Sequence, residues 1–303
     1  MATVQITTWD EFKTALTETI TENTTYEIMN DIDVSGDIQT TRINCVSAYD
    51  KIFNGNNHKI NGITNYNSSS SGVFGFSLLN TGGAFTFNNI SFSNFQCTSI
   101  AGGFFYFYTS VTSSKQPAFN NCFFNGECKF FARGNTGSVA PRANFNNCSF
   151  NIGIMQVSYT EGYNPLYLTN CYILLKSLTP LKLGSSDIST PFFNTLTNCY
   201  IGGDIDISSA SSTGSSYQRQ LFASNGYNTV INCNINCTAT TGAIYLFLGT
   251  STTCLFNNDK YTGSITPTFT SGTATQTNYK LTDAQMKNAT YIANNTTFPI
   301  ATT

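Results

Sequence analysis

The chain has 303 residues and a formal net charge of −2, and only 10% of its residues are charged, whereas soluble domains carry about 25%. This near-neutral balance excludes the broad basic surface of a nucleic-acid-binding protein and the polybasic segment of a membrane-surface protein. The longest apolar runs, such as residues 243–248, have the length of a strand and fall far short of the ~20 residues of a membrane-spanning helix. We therefore expect neither a nucleic-acid partner nor membrane insertion.

The N-terminal residues predict an amphipathic helix. Thr8 precedes Glu11 by three positions, which is the spacing of a capping box, and Trp9, Phe12 and Leu16 recur at helical spacing. The residues before Thr8 lack the basic and apolar regions of a secretory signal. We expect residues 1–25 to form an N-terminal cap and the protein to be made in the cytoplasm without a signal peptide.

One short pattern recurs through the middle of the chain: an apolar residue, any residue, Asn, a small apolar residue, any residue and an apolar residue. The recurring Asn are separated by 32, 26, 23, 28 and 34 residues. They are Asn89, Asn121, Asn147, Asn170, Asn198 and Asn232, and Cys follows all but the first, as Cys122, Cys148, Cys171, Cys199 and Cys233. A repeat of roughly 20 to 35 residues predicts a solenoid, and uneven steps indicate that insertions are confined to loops.

The repeated pattern predicts a bend between two strands. Side chains alternate along a strand, so Cys148 and Phe150 share the core face, and Phe145 reaches it if Asn146 and Asn147 form the bend. Asn tolerates the left-handed conformation that such bends need. Stacked coils lie about 4.8 Å apart, a distance at which Asn amides form a hydrogen-bonded ladder, and Cys fits the crowded core as a small hydrophobic residue.

Three further stretches carry a family resemblance. Residues 53–63 (FNGNNHKINGI) are similar to a coil that often opens β-helical solenoids, and residues 31–34 (DIDV) and 73–76 (VFGF) resemble strands that flank it. With the Asn bend, they resemble the pectin-lyase-like superfamily. The resemblance implies an all-β fold, a right-handed single-stranded parallel β-helix over residues 26–262. Within it, residues 104–108 (FFYFY) predict an aromatic strand with Phe104 and Phe105 on opposite faces.

The resemblance leaves function open, because the superfamily contains lyases, hydrolases, adhesins and phage spikes and a shared fold does not fix function. Residues 263–303 are expected to form a C-terminal cap and tail with a short helix at 281–289. The loops between the copies, rich in Ser, Gly, Thr and Tyr, are expected to gather on one flank and to carry any binding function.

The cysteines are predicted to be reduced. Neighbouring coils place their side chains about 4.8 Å apart, which is longer than the Cβ–Cβ distance of a relaxed disulfide. Their spacing does not match a zinc site, and the chain has one His, so we expect no metal and no cofactor. The glycosylation sequons at Asn89 and Asn147 fall on the ladder, where a glycan would break the stack. These features favour folding in a reducing cytoplasm.

Candidate catalytic groups are few. Asp204 and Asp206 share one face of a strand, about 7 Å apart, which is compatible with either geometry of a glycoside hydrolase, and Asp187 and Glu161 are further carboxylates that can approach from earlier coils. An alternating DIDI strand is also typical of a surface without chemistry. His58 is interpreted as a structural turn residue.

The sequence therefore favours a non-enzymatic structural protein of a phage or virus particle: a spike, fibre or decoration located in the virion. Its expected partners are other virion proteins and a host-surface glycan. The resemblance to phage β-helices implies a trimer, and a monomer capped at both ends is an equal alternative. One alternative is a polysaccharide-degrading tailspike that uses Asp204, Asp206 and Glu161. Another is a bacterial surface adhesin, for which a signal or anchor is expected.

Overall fold

The fold is that of a parallel β-helix. The computed structural model describes residues 1–65, 73–78, 82–97, 103–109, 116–131, 143–154, 166–175, 193–205, 220–222, 227–231, 233–239, 244–247, 254–263, 265–266 and 276–280. Within these residues every strand pairing is parallel, and one short helix accompanies the strands. The predicted solenoid of stacked parallel strands is confirmed.

The helix, α1, spans Trp9–Thr17. The strands are β1 (Ala2–Ile6), β2 (Thr24–Ile28), β3 (Ile32–Asp33), β4 (Ile38–Gln39), β5 (Ile43–Cys45), β6 (Lys51–Asn54), β7 (Lys59–Asn61), β8 (Thr64–Asn65), β9 (Phe74–Leu78), β10 (Phe85–Asn88), β11 (Ser91–Cys97), β12 (Gly103–Thr109), β13 (Ala118–Asn120), β14 (Phe123–Phe131), β15 (Ala143–Asn146), β16 (Ser149–Ile154), β17 (Leu166–Thr169), β18 (Tyr172–Leu175), β19 (Phe193–Thr197), β20 (Tyr200–Ile205), β21 (Gln220–Phe222), β22 (Tyr227–Ile231), β23 (Asn234–Ala239), β24 (Ile244–Phe247), β25 (Cys254–Gly263), β26 (Ile265–Thr266) and β27 (Gln276–Lys280).

Two columns of strands meet at the recurring Asn. The first column runs through β2, β6, β10, β13, β15, β17, β19 and β22. The second runs through β3, β7, β11, β14, β16, β18, β20 and β23. Their register places equivalent residues of successive copies over one another, so each core position becomes a column along the solenoid.

Stacked aromatic rings fill the core of the first coils. Rings follow one another with centroids 4.7 to 5.0 Å apart and planes within 15° of parallel. This column consists of Tyr26, Phe53, Phe87, Phe119 and Phe145. The ring spacing matches the strand spacing of about 4.8 Å, so each ring packs on the equivalent ring of the next coil. Leu168 and Leu196 continue the column as buried aliphatic side chains.

The helix α1 closes the N-terminal end of this core. The predicted capping box is confirmed: the Thr8 side chain accepts from the Glu11 N–H and the Glu11 carboxylate accepts from the Thr8 N–H. The apolar face of the helix is buried, with Phe12 5.5 Å from Phe53 and Trp9 6.4 Å from Phe74, measured between ring centroids. The helix therefore covers apolar surface that the first coil would otherwise expose.

Two sequence expectations are corrected. The bend in each copy comprises the second Asn and the residue after it, because β15 includes Asn146 and the bend is Asn147 and Cys148. Phe104 and Phe105 do not face opposite sides, since both are buried, and Phe104 packs 4.3 Å from Phe95 between ring centroids.

The predicted C-terminal helix at 281–289 lies outside the described residues. The boundaries of the predicted domains, at residues 25 and 262, stay predictions.

Candidate functional site

The corner between the two strand columns repeats with constant geometry. Five bend residues have φ between 53° and 56°, namely Asn89, Asn121, Asn147, Asn170 and Asn198. This is the left-handed region, where Asn is better tolerated than other residues with a Cβ. The repeated Asn therefore satisfies a backbone requirement of every corner.

The bend residues are linked to both neighbouring coils. The side-chain amide of Asn121 donates to Asn89 Oδ1, and that of Asn198 donates to Asn170 Oδ1, each over 3.1 Å. In the opposite direction the backbone N–H of Asn121 donates to the Asn146 carbonyl over 2.9 Å. The side-chain amide of Asn170 donates to Asn147 Oδ1 of the preceding coil over 3.1 Å. Asn232 lies outside the described residues.

A second amide ladder, which the sequence analysis missed, connects the last residues of β6, β10, β13 and β15 in the first column. Asn146 donates to Asn120 over 3.0 Å, Asn120 to Asn88 over 2.9 Å, and Asn88 to Asn54 over 3.0 Å. Asn54 donates to Oε1 of Glu27 over 2.7 Å. The signal was the first Asn of each Asn-Asn pair, which we had assigned to the bend.

Glu27 accepts the N-terminal end of this ladder and one further amide. Its Oε1 accepts from Asn54, and its Oε2 accepts from the amide of Asn56 over 2.9 Å. Every side-chain amide of the ladder donates towards the N-terminal end of the solenoid, so the ladder must end on a group that accepts. An ionised carboxylate only accepts hydrogen bonds and therefore suits this position.

The cysteine column lies directly inside the corner. Cys122, Cys148, Cys171 and Cys199 are buried thiols without disulfides. Each Sγ lies 3.4 or 3.5 Å from two backbone carbonyl oxygens, one in its own coil and one in the preceding coil. Cys233 is also buried, and its Sγ accepts from the Cys199 backbone N–H over 3.4 Å.

Burial controls the chemistry of two of these thiols. Removal from water raises the pKa of Cys148 and of Cys171 well above the ordinary thiol value. A protonated thiol is neither a nucleophile nor a metal ligand. Cys148 and Cys171 are therefore suited to packing and to donating hydrogen bonds to carbonyls.

The candidate catalytic carboxylates are not brought together by the described residues. Asp204 lies on β20, in register with Thr238 of β23. Asp206, Asp187 and Glu161 lie outside the described residues. Within the described part of the chain, His, Cys, Asp and Glu form no group of three or more that could hold a metal ion.

His58 is placed in a turn, as the sequence indicated. Its Nδ1 lies 3.2 Å from Oδ1 of Asp31, which also accepts from the Lys59 backbone N–H over 3.1 Å. This N–H is the largest cause lowering the pKa of Asp31. The contacts hold the turn between successive coils.

The outer side of the Asn corner forms what we call the smooth flank. It comprises the two outward positions nearest the bend on each adjoining strand, from the coil of Asn89 to the coil of Asn198. On the first column these are Thr86, Asn88, Ala118, Asn120, Asn144, Asn146, Tyr167, Thr169, Thr195 and Thr197; on the second they are Ser91, Ser93, Phe123, Asn125, Ser149, Asn151, Tyr172, Leu174, Tyr200 and Gly202, of which Ser149, Tyr200 and Gly202 are buried. None of these side chains is charged.

No helix in the described ranges is long and apolar enough to cross a membrane.

Comparison with known proteins gives one family and one structural likeness. The family described as "Putative pectate lyase-like adhesive domain" matches residues 3–127, which include α1 and the first two copies of the Asn corner. The crystal structure of a "putative immunoglobulin A1 protease from Bacteroides ovatus" is similar with a TM-score of 0.47 and 14% identity, over 95% of this chain and 86% of that chain. No curated protein sequence matches the chain.

The family match agrees with the pectin-lyase-like β-helix predicted from sequence. The comparisons give no link to a phage or virus. The N-terminal part of the chain is similar to a pectate lyase-like adhesive domain carried on a parallel β-helix.

Proposed function

We propose that the chain is a non-enzymatic attachment module: a stiff parallel β-helix that holds a binding surface away from the body to which it is fixed. The observation that carries the proposal is the likeness of residues 3–127 to an adhesive domain. The stacked coils support it, because strand ladders, ring stacks and amide ladders all run along the same axis. Such a solenoid carries load along its axis from each coil to the next, because each coil contacts its neighbours.

The proposal is tested by adhesion of beads. Beads coated with the purified 303-residue chain should adhere to cells or immobilised glycans, and beads coated with heat-unfolded chain should not. The same soluble polysaccharides, incubated with the chain, should show no new reducing ends and no unsaturated products. Cleavage that is lost in Asp204→Asn would instead assign the chain to the carbohydrate-active enzymes.

The setting that we propose is the surface of a phage or virus particle. The free, buried thiols of the described coils support it, because a core packed with thiols rather than disulfides is suited to folding in a reducing cytoplasm, where such particles assemble. The proposed partners are other virion proteins and a host-surface glycan, and the proposed assembly is a trimer. Mass spectrometry of purified particles should detect the polypeptide, and particles that consistently lack it would contradict this setting.

A second setting, the surface of a cell, is favoured by the description of the matching family as adhesive. Antibody labelling separates the two settings. Label on intact cells in the absence of particles supports the cellular adhesin, and label confined to particles supports the virion.

A further inference from the structure

The length of the Asn corner does not vary. Two residues separate the strands at every copy: β10 ends at Asn88 and β11 begins at Ser91, and the same gap follows β13, β15, β17 and β19. The distance between successive corners nevertheless ranges from 23 to 34 residues. All insertions therefore lie elsewhere in the coils, and the smooth flank stays an uninterrupted surface about 20 Å long, from five coils spaced about 4.8 Å apart.

The composition of the smooth flank is unusual for a protein surface. Protein surfaces are typically about 25–35% charged, whereas the outward positions of the flank hold Asn, Ser, Thr, Tyr and a few apolar side chains. An ionic ligand would lose water here without meeting an opposite charge, which is costly. The flank is thus suited to an uncharged partner.

The flank also offers polar groups at regular intervals. The amides of Asn88 and Asn120 each use one N–H and one acceptor position within the ladder, and the amide of Asn146 uses one N–H. An Asn amide has two N–H groups and an oxygen with two lone pairs, so the ladder leaves further donor and acceptor capacity at each partly exposed step. Phe123 and Tyr172 add partly exposed rings beside these amides.

The aromatic side chains of the second column are held in fixed positions. The rings of Tyr172 and Tyr200 stack with centroids 4.8 Å apart and planes 9° from parallel. Tyr200 leans over Gly202, where an added Cβ would lie 2.6 Å from the ring. Rigid Tyr rings combined with Asn, Ser and Thr supply apolar contact and adaptable hydrogen bonds at low entropic cost.

We propose that the smooth flank binds an uncharged glycan chain laid along the solenoid axis, an inference that rests on the proposed attachment function. Sugar hydroxyls donate and accept, which suits the amides and hydroxyls of the first column, and the apolar faces of sugar rings suit the aromatic side chains of the second. A second copy of the chain fits this flank less well. Homodimer interfaces are about 65% apolar at their core, whereas this surface consists largely of Asn, Ser and Thr.

Charge insertion tests the proposal. The probes are an array of uncharged and anionic glycans, followed by native affinity electrophoresis in mannan, dextran, alginate and polygalacturonate. Thr195→Lys and Thr195→Glu place either sign of charge on the flank, and Thr40→Lys and Thr40→Glu place the same charges on an exposed position between β4 and β5, outside the two strand columns that form it. The wild type should bind uncharged glycans, and both Thr195 variants should weaken that binding about tenfold or more, whereas the Thr40 variants should leave it unchanged.

A second pair of variants guards against misfolding. Tyr172→Ser should weaken glycan binding, whereas Tyr49→Ser, which removes a 42% exposed ring elsewhere, should not, and thermal melting should show that all variants fold. Binding only to anionic glycans, or equal binding by wild type and Thr195 variants, overturns the inference. So does a drop in sedimenting mass for Thr195→Lys, because that result assigns the flank to self-association. If the wild type adheres and the flank variants adhere equally, the attachment function stands and the inference fails.

Discussion

The bend Asn combines a backbone role with a side-chain role. Asn147 has φ of 55°, and its Oδ1 accepts from Asn170 over 3.1 Å. Asn147→Ala should lower the free energy of unfolding by about 2–3 kcal/mol, of which about 1–2 reflects the left-handed backbone and about 1 the lost hydrogen bond.

Comparison with glycine separates these two parts. Asn147→Gly relieves the backbone cost and should lose only about 1 kcal/mol. Asn151→Ala, at an outward position of β16, is the control and should change the unfolding free energy by less than about 0.5 kcal/mol. Urea unfolding measures all three values, and equal losses for Ala and Gly would show that the left-handed conformation imposes no cost.

Lys51 supplies the C-terminal cap of α1 from another element. Its Nζ donates to the carbonyls of Ala15, Leu16 and Glu18 over 2.7, 3.3 and 2.8 Å, and the last turn of the helix contains no basic residue of its own. Lys51→Met should lower the unfolding free energy by about 1–3 kcal/mol at pH 7, because buried carbonyls lose their donor.

The same side chain makes stability depend on pH in a defined direction. Burial lowers the pKa of Lys51 to about 8, below the value of about 10.4 in an unfolded chain. Between these values the unfolded chain binds a proton that the folded chain has released, so the contribution of Lys51 to stability rises with pH. The difference in unfolding free energy between wild type and Lys51→Met should therefore grow from pH 7.5 to pH 9.5, and a difference that shrinks would contradict the assignment.

At the scale of the coil, the thiol column behaves as part of the hydrogen-bonded framework. Since burial raises the pKa of Cys148 and Cys171, native protein incubated with iodoacetamide at pH 8 should leave both unmodified, and protein unfolded in urea should be modified at both. Peptide mapping by mass spectrometry resolves the sites. Rapid labelling of Cys148 in folded protein would show that the column opens in solution.

Removal of the column's hydrogen bonds has a separate signature. Cys148 lies 3.4 Å from the carbonyl oxygens of Phe119 and Asn146. Cys148→Ser retains a donor of similar size, whereas Cys148→Ala leaves carbonyls without one. The Ala variant should be the less stable by about 1 kcal/mol. Equal stability of the two variants would show that the thiol only fills space and that its hydrogen bonds add no stability.

The coil could be predicted from sequence because its elements are local. An apolar residue, a left-handed Asn and a small core residue recur together, and strand alternation then fixes which side chains face inwards. Lys51 could not be predicted as a cap, since its helix partners are more than 30 residues away and are brought close only by stacking. Alternation predicted Phe104 and Phe105 on opposite faces, but both are buried, and the Phe104 ring packs on Phe95.

The candidate site was predicted less completely than the coil. Asp204 and Asp206 drew attention because carboxylates two apart share a strand face. The smooth flank was not predicted, because an uncharged surface carries no single residue as a signal and becomes visible only when strands of different coils are set side by side. The constant length of the Asn corner could be read from the sequence repeat, but its consequence for the surface depends on where in the coils the insertions lie.

At the scale of the whole molecule, the solenoid depends on its cap. Phe12 is fully buried and packs against Phe53 across the first coil. Phe12→Asp should detach α1, expose the end of the core and cause self-association, because terminal units keep solenoids soluble. Light scattering at increasing protein concentration should rise for this variant and not for Asp10→Asn, which alters an exposed position of the same helix. A monomeric Phe12→Asp variant would show that the cap is dispensable.

The carboxylate of Glu27 also has a consequence for how such chains lengthen. The ionised carboxylate accepts hydrogen bonds from the amides of Asn54 and Asn56 in the following coil and donates none. It therefore ends the amide ladder on the N-terminal side of the solenoid. A duplicated coil inserted on the C-terminal side of Glu27 would meet the same hydrogen-bond donors and acceptors on its two neighbouring coils. The solenoid can therefore lengthen by tandem duplication of coils while its N-terminal end stays unchanged.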